Sequence, residues 1–150
     1  MQYEKIWKKV LSGDERVEHE FSVGSGYTIY SFVAFCLVAL LFLILKLFGW
    51  GIFISTVGLL YALYLKYANA FAFTNKRILI HRGLLSTKTI SVDYNKITDV
   101  SVYEPFMERI ISHTGNININ TAGSGKTEIV LLHVTEPYEL KKKLDVLKDK

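Results

Sequence analysis

The sequence predicts an α+β membrane protein, in which a two-helix transmembrane hairpin precedes a small, mostly antiparallel sheet closed by a C-terminal helix. Three observations predict it: two adjacent apolar stretches, a change to a period of two after them, and a final segment with helical periodicity. We expect a cytoplasmic amphipathic helix and link at residues 1–26, the hairpin at 27–67 and a cytoplasmic domain at 68–150.

The apolar stretches have nearly the length of membrane spans. Lys46 is the only charged residue between Tyr27 and Lys66. A hydrocarbon core of about 30 Å needs about 20 helical residues. Two buried helices of a soluble core are the alternative, but residues 32–45 are apolar on every face. We expect the turn to use the glycines at positions 49 and 51, which permit a chain reversal.

Basic residues predict the orientation of the hairpin. They lie mostly outside it, at Lys5, Lys8, Lys9 and Arg16 before the first span and at Lys66, Lys76 and Arg77 at and after the end of the second. Cytoplasmic flanks of membrane spans are enriched in lysine and arginine. We therefore expect a multi-pass protein of the cell (inner) membrane, with the lipid bilayer as one partner and both termini in the cytoplasm.

The composition argues against several classes of function. The net charge of +4 is too mild to indicate nucleic-acid binding. The single cysteine, Cys36, permits no intrachain disulfide, and the four histidines show no ligand spacing. No catalytic signature surrounds any serine, histidine or carboxylate. We expect no enzyme, no metal and no cofactor.

The N-terminal segment has an apolar stripe at helical spacing, formed by Tyr3, Ile6, Trp7, Val10 and Leu11. This pattern predicts a short helix that ends near Gly13. Two interpretations stay open: the helix lies on the inner leaflet with Trp7 inserted, or its stripe packs on the cytoplasmic domain. Residues 14–23 form either a short strand or an extended link.

The segment after the hairpin reads as a series of strands. Residues 70–82 predict a β-hairpin with a turn at Asn75 and Lys76. Pro105 opens a stretch with one or two helical turns, and Pro137 opens the closing helix. The remaining predicted strands are 89–94, 97–103, 116–121 and 129–134.

The segment 123–127 looks like the end of a phosphate-binding loop. The full pattern requires a glycine where this chain has Asn120, and a helix where residues 129–132 predict a strand. A glycine-rich hairpin turn is the better interpretation.

Several short runs together resemble the bacterial pleckstrin-homology-like (PH-like) domain of membrane-flanked proteins. They are residues 73–78, 82–86, 97–102 and 121–124. The resemblance implies a bent antiparallel sheet of seven strands closed by a C-terminal helix, and residues 14–23 or a split strand would supply the seventh. Lys76, Arg77 and Arg82 do not reproduce the spacing of a phosphoinositide site, so that site is not implied.

We therefore expect a membrane-anchored binding or scaffold module that mediates protein–protein or homo-oligomeric assembly. An anionic-lipid-binding domain and an accessory subunit of a membrane transporter or protease are the alternatives. The candidate contacts to lipid headgroups or a partner are Trp7, Lys76, Arg77, Arg82 and Lys126.

Overall fold

The computed structural model describes residues 3–122 and 129–148. Its helices are α1 (Glu4–Trp7), α2 (Ser25–Ile44), α3 (Phe48–Ala68) and α4 (Pro137–Lys148). Its strands are β1 (Val17–Ser22), β2 (Asn69–Thr74), β3 (Arg77–Arg82), β4 (Lys88–Asp93), β5 (Ile97–Tyr103), β6 (Thr114–Thr121) and β7 (Ile129–Thr135). A 3₁₀ turn covers Tyr94–Lys96, and a π-helical turn covers Glu108–Ser112.

The strands form two antiparallel sheets, in the orders β1-β2-β3-β4 and β5-β6-β7. The segment 14–23, which the sequence left as a strand or a link, contributes β1. Periodicity predicted six strands, and β1 is the seventh strand that the family resemblance implied. An isolated bridge between Val23 and Val134 connects the two sheets just before α2 begins.

One hydrophobic core lies between the sheets and α4. Phe71 and Phe73 of β2 and Leu144 of α4 are fully buried in it, together with apolar residues from β3 to β7. α4 is amphipathic, and Leu140 and Leu144 give it the buried stripe that the sequence predicted. The helix thus closes the sheet structure, as expected.

Strand β2 is buried on both faces, because the N-terminal segment covers its outer side. Ala70 and Ala72 form a second apolar cluster with Tyr3, Trp7 and Leu79. The small alanine side chains leave room for the indole, which is 1% exposed. The structure therefore favours packing of the stripe on the domain over insertion in a leaflet. α1 is also shorter than the predicted helix.

The helical hairpin turns through residues 45–47. The prediction that glycines form this turn is wrong, because Gly49 and Gly51 lie inside α3 and Lys46 takes the left-handed conformation, with φ of +57°. Gly51 instead lets α3 approach α2: a Cβ there would lie 2.9 Å from Cδ2 of Leu43. Gly58 does the same against Phe35.

α2 and α3 are long and apolar enough to cross a membrane. Their few buried residues are small: Thr28, Ser31, Ala39, Gly51, Gly58 and Ala68. Their large apolar side chains, such as Leu37, Ile44, Ile52 and Leu60, are exposed. This distribution is the reverse of that in the sheet domain.

Candidate functional site

The junction between α2 and the second sheet is tightly packed. The amide of Gly24 donates a hydrogen bond of 2.7 Å to the carbonyl of His133. A Cβ on Gly24 would lie 2.5 Å from Cγ2 of Thr114, and one on Gly26 would lie 2.5 Å from the carbonyl oxygen of Ser112. Only glycine permits these approaches, so the two residues before and within the first turn of α2 seat the helix on the domain.

A polar cluster lies directly behind this contact; we call Glu108, Ser112, Thr114 and His133 the junction cluster. Nδ1 of His133 lies 2.9 Å from Oε2 of Glu108. The Thr114 hydroxyl lies 3.3 Å from the same carboxylate oxygen and 2.7 Å from the Ser112 hydroxyl. Glu108, Ser112 and Thr114 are buried. A buried carboxylate needs such partners, because an unpaired charge is costly to bury.

Tyr27 of α2 completes the cluster. Its ring stacks on the His133 ring, with the centroids 3.6 Å apart and the planes 6° from parallel. The backbone of His133 is left-handed, with φ of +52°, and its amide donates to Oδ1 of Asn116. The imidazole is therefore held between α2 and the π-helical turn. The cluster connects the helical hairpin to the sheet domain.

The residue types of the junction cluster occur in catalytic triads, but their geometry here differs. The Ser112 hydroxyl bonds Thr114 and donates to the carbonyl of Glu108, rather than bonding His133. A nucleophile must lie within hydrogen-bond reach of its base. The arrangement thus positions α2 and does not activate Ser112. Within residues 3–122 and 129–148, no group of three or more histidine, cysteine or acidic side chains is placed to hold a metal ion.

A second polar cluster attaches the N-terminal segment to the turn between β2 and β3. The Arg77 guanidinium donates to both carboxylate oxygens of Glu15, at 2.9 and 2.8 Å. It also contacts the carbonyl of Val10, and Glu15 accepts from the Thr74 hydroxyl at 2.8 Å. The Glu15 side chain is 1% exposed and that of Arg77 is 22% exposed.

The hydrogen bonds decide the charge of this second cluster. Burial by itself would raise the pKa of Glu15, but hydrogen bonds from Arg77, Thr74 and the Ser12 amide hold that pKa below its ordinary value. The contact with Glu15 raises the pKa of Arg77. The pair is thus fully charged in the folded protein at neutral pH.

The structure does not gather the candidate contacts of the sequence into one site. Trp7 is buried, and its Nε1 donates to Glu20. Arg77 is bound to Glu15, and the Arg82 guanidinium donates to the carbonyl of Val130. Lys76 is exposed in its turn, whereas Arg82 lies at the other end of β3. Lys126, with the glycine-rich loop, lies outside the described residues.

Sequence reasoning missed the junction cluster. Its partners are distant in the chain, since Glu108 and His133 are 25 residues apart. Two signals did exist: His133 interrupts an apolar strand, and Gly24 and Gly26 stand immediately before the first span. A polar residue in a buried strand indicates a buried partner, although the sequence does not say which.

Comparison with known proteins agrees with this architecture. A family model described as Bacterial PH domain matches residues 26–148. No curated protein matches the sequence.

Solved structures with similar folds include a DUF1696 family protein with a pleckstrin-homology domain from Shewanella loihica PV-4. It is 14% identical, with a TM-score of 0.54, and the match covers 98% of this chain and 94% of that one. A pleckstrin homology domain from Shewanella amazonensis SB2B is 11% identical, with a TM-score of 0.53, and the match covers 95% of this chain and 82% of that one. The chain belongs to the bacterial PH domain family, whose fold is in general a non-catalytic binding module.

Proposed function

We propose that this protein is a membrane-anchored binding module, which holds its PH-like domain at the cytoplasmic face of the cell membrane for assembly with a protein partner or with further copies of itself. The observation that carries the proposal is the hairpin, which exposes its large apolar side chains and buries its small ones.

This distribution suits a lipid environment. α2 and α3 have 20 and 21 residues, so each is about 30 Å long, the thickness of a hydrocarbon core. Small residues at the contact let two membrane helices approach closely, as Gly51 and Gly58 do. In water the same helices would expose an apolar surface far larger than soluble monomers carry.

The sheet domain supports a common side for both ends of the hairpin. β1 precedes α2 and β2 follows α3, and these strands pair directly from Val17–Thr74 to Ser22–Ala70. Both flanks of the hairpin thus belong to one folded unit on one side of the membrane. That side carries nearly all of the basic residues, which favours the cytoplasm.

Two features would promote binding to a partner: the unpaired edges of the sheets and the location of the domain at the membrane. Within the described sheets, β4 pairs only with β3 and β5 pairs only with β6, so each leaves one edge unpaired. An edge strand can accept a strand from another chain. Anchoring raises the local concentration of the domain, so that a weak contact of this kind becomes occupied.

Cysteine labelling tests the anchoring and its orientation. In a Cys36→Ser background, Lys46→Cys reports on the hairpin turn and Lys76→Cys on the far end of the domain. We expect a membrane-impermeant maleimide to label position 46 in intact spheroplasts and position 76 only after lysis. The protein should also stay in the membrane pellet at alkaline pH. Release into the alkaline supernatant, or equal labelling of both positions before lysis, contradicts the proposal.

The mass of the gently solubilised protein tests assembly. A discrete homo-oligomer, or a stoichiometric complex isolated from native membranes, is the expected result. A partner with transport or protease activity would identify the protein as an accessory subunit of that machine. A monomer without a partner contradicts assembly and leaves lipid binding as the function to pursue.

A further inference from the structure

Two loops of the sheet domain expose large apolar side chains. The Leu84 loop, residues 83–87, exposes Leu84 and Leu85, of which Leu85 is fully accessible. The Ile110 loop, residues 104–113, exposes Phe106, Met107, Ile110 and Ile111. These side chains contribute nothing to either apolar cluster of the domain.

The Leu84 loop lies beside the end of α3. The amide of Gly83 donates a hydrogen bond of 2.6 Å to the carbonyl of Ala68, the last residue of that helix. Asn69 and Arg82 pair in the adjoining strands, so the loop extends beyond the start of β2. Tyr67 lines a shared cavity with Leu84. The loop is therefore level with the last turn of α3.

The Ile110 loop lies beside the start of α2. The carbonyl of Ser112 packs directly on Gly26, and Glu108 binds the histidine on which Tyr27 stacks. The loop is thus held against the first turn of α2. The two loops lie at the same level, where α2 and α3 leave the domain, and each accompanies a different helix.

An exposed basic residue lies next to each apolar tip. Lys88 follows the Leu84 loop, and Arg109 lies within the Ile110 loop; both are exposed. The two acidic residues of the Ile110 loop turn toward the domain, since Glu104 packs on Gly115 and Glu108 is buried with its histidine. Apolar tips with adjacent cationic groups are the chemistry that binds an interface with anionic headgroups.

The opposite end of the domain provides a contrast. There, Asn75 and Lys76 form the turn between β2 and β3, and Asn95 and Lys96 are exposed between β4 and β5. Each sheet thus has a polar connection at one end of its strands and an apolar one at the end where the hairpin leaves.

We propose that the Leu84 loop and the Ile110 loop insert their apolar tips into the leaflet from which the hairpin emerges. The inference rests on the proposed membrane anchoring and adds a second set of bilayer contacts to it. The occupant is lipid rather than a second copy, because a bilayer that surrounds the ends of α2 and α3 necessarily passes both loops. Three contacts, from the hairpin and two loops, would fix the height and tilt of the domain and orient its open edges.

Site-specific fluorescence on the full-length protein tests this inference. Single cysteines replace Leu85 and Ile110 in the Cys36→Ser background and carry an environment-sensitive dye. Lys76→Cys and Lys96→Cys are matched controls, since they lie at the opposite ends of the same two sheets. Leu60→Cys, exposed on α3, reports on the span itself. The protein is reconstituted in vesicles of equal parts phosphatidylcholine and phosphatidylglycerol.

The expected result is a blue shift at positions 85 and 110, with loss of fluorescence to a shallow lipid-borne nitroxide and protection from aqueous iodide. Positions 76 and 96 should behave in the opposite way. A water-like signal at 85 and 110 with lipid quenching at 60 overturns the loop insertion and leaves the anchoring intact. A water-like signal at 60 overturns the proposed anchoring as well.

Single-copy nanodiscs distinguish lipid from a second copy. Lipid contact at positions 85 and 110 should persist with one protein per disc. If protection from iodide appears only at high protein-to-lipid ratio and disappears in the discs, another copy covers the loops, and the inference is wrong.

Discussion

Two attachments hold the parts of this molecule together, and they use different chemistry. Glu15 and Arg77 fasten the N-terminal segment to the first sheet with an ion pair that is fully charged at neutral pH. Glu108 and His133 fasten α2 to the second sheet with an imidazole, which is charged only when it is protonated. The first attachment depends on charge. The second relies on neutral hydroxyls, ring stacking and close glycine contacts as well.

The difference follows from what each attachment must hold. The N-terminal segment has a short helix of four residues, which would not be stable alone, so a strong point contact and Trp7 hold it. α2 is a long helix that needs a defined angle to the domain. An extended contact, with Gly24 and Gly26 against Thr114 and Ser112, provides that angle.

Removing the cation of the first attachment should have the largest effect. Arg77→Met keeps much of the side-chain volume but leaves the carboxylate of Glu15 buried without its cation. We expect a loss of about 3–5 kcal/mol in the free energy of unfolding. Lys76→Met, at the exposed neighbour, should change little. Trp7 fluorescence of the solubilised protein during urea titration, in a Trp50→Phe background, measures both. Equal curves for the two variants would mean that the ion pair does not hold the segment.

Removing the imidazole of the second attachment should cost less. His133→Asn preserves the left-handed backbone, which asparagine tolerates, but removes the ring stacking and the bond to Glu108. We expect a destabilisation of about 1–3 kcal/mol, from a buried group left without a partner.

His113→Asn is the matched control for that variant, because His113 also has positive φ, at +49°, and its side chain is exposed. Hydrogen exchange at the first turn of α2 should increase in the His133 variant alone. An equal increase in both variants would assign the effect to the backbone instead of the junction cluster.

Adding a methyl group at Gly26, in the same attachment, should lower the free energy of unfolding by about 1–3 kcal/mol, the usual cost of overpacking. In Gly26→Ala the new Cβ would meet the carbonyl oxygen of Ser112 at 2.5 Å, and a backbone atom moves less easily than a side chain. Gly49→Ala provides the comparison, since nothing lies within 4 Å of that position and alanine favours the helix. Thermal unfolding should therefore separate the two variants in opposite directions. A neutral Gly26→Ala would show that α2 is loosely seated.

Periodicity predicted most of the strands because each has one face or both in a core. The alternation of Phe71 and Phe73 with alanines indicated β2, but it did not indicate that Trp7 covers the alanine side. Pro105 and Pro137 placed helical segments near where the structure has them. Local sequence patterns therefore predicted those elements whose structure depends mainly on burying one face of a single segment.

The sequence did not predict what depends on distant segments meeting. The pairing of Glu108 with His133 is a tertiary contact, and nothing near either residue specifies it. The turn of the hairpin uses Lys46 at positive φ although Gly49 and Gly51 are nearby. Gly51 is needed where α3 packs on α2, whereas Gly49 lies in an open position within the first turn of α3. A glycine shows that the chain can turn at a position, but the packing of the helices decides where it does turn.

Acid should weaken the first attachment, the pair of Glu15 and Arg77. Of the changes considered, it should have the smallest effect on stability within an ordinary pH range. The pKa of Glu15 is lowered in the folded protein, so its contribution to stability is fully present above the ordinary carboxyl value of 4.5 and is lost as the pH falls through the lowered value. Stability reported by Trp7 should thus be flat from neutral pH down to 4.5 and decline as the pH falls from there through the lowered value. Glu15→Gln, which cannot titrate, should show a shallower decline. If both proteins lose stability in parallel below pH 4.5, other carboxylates control the acid response. The pair formed by Glu15 and Arg77 then contributes no pH dependence.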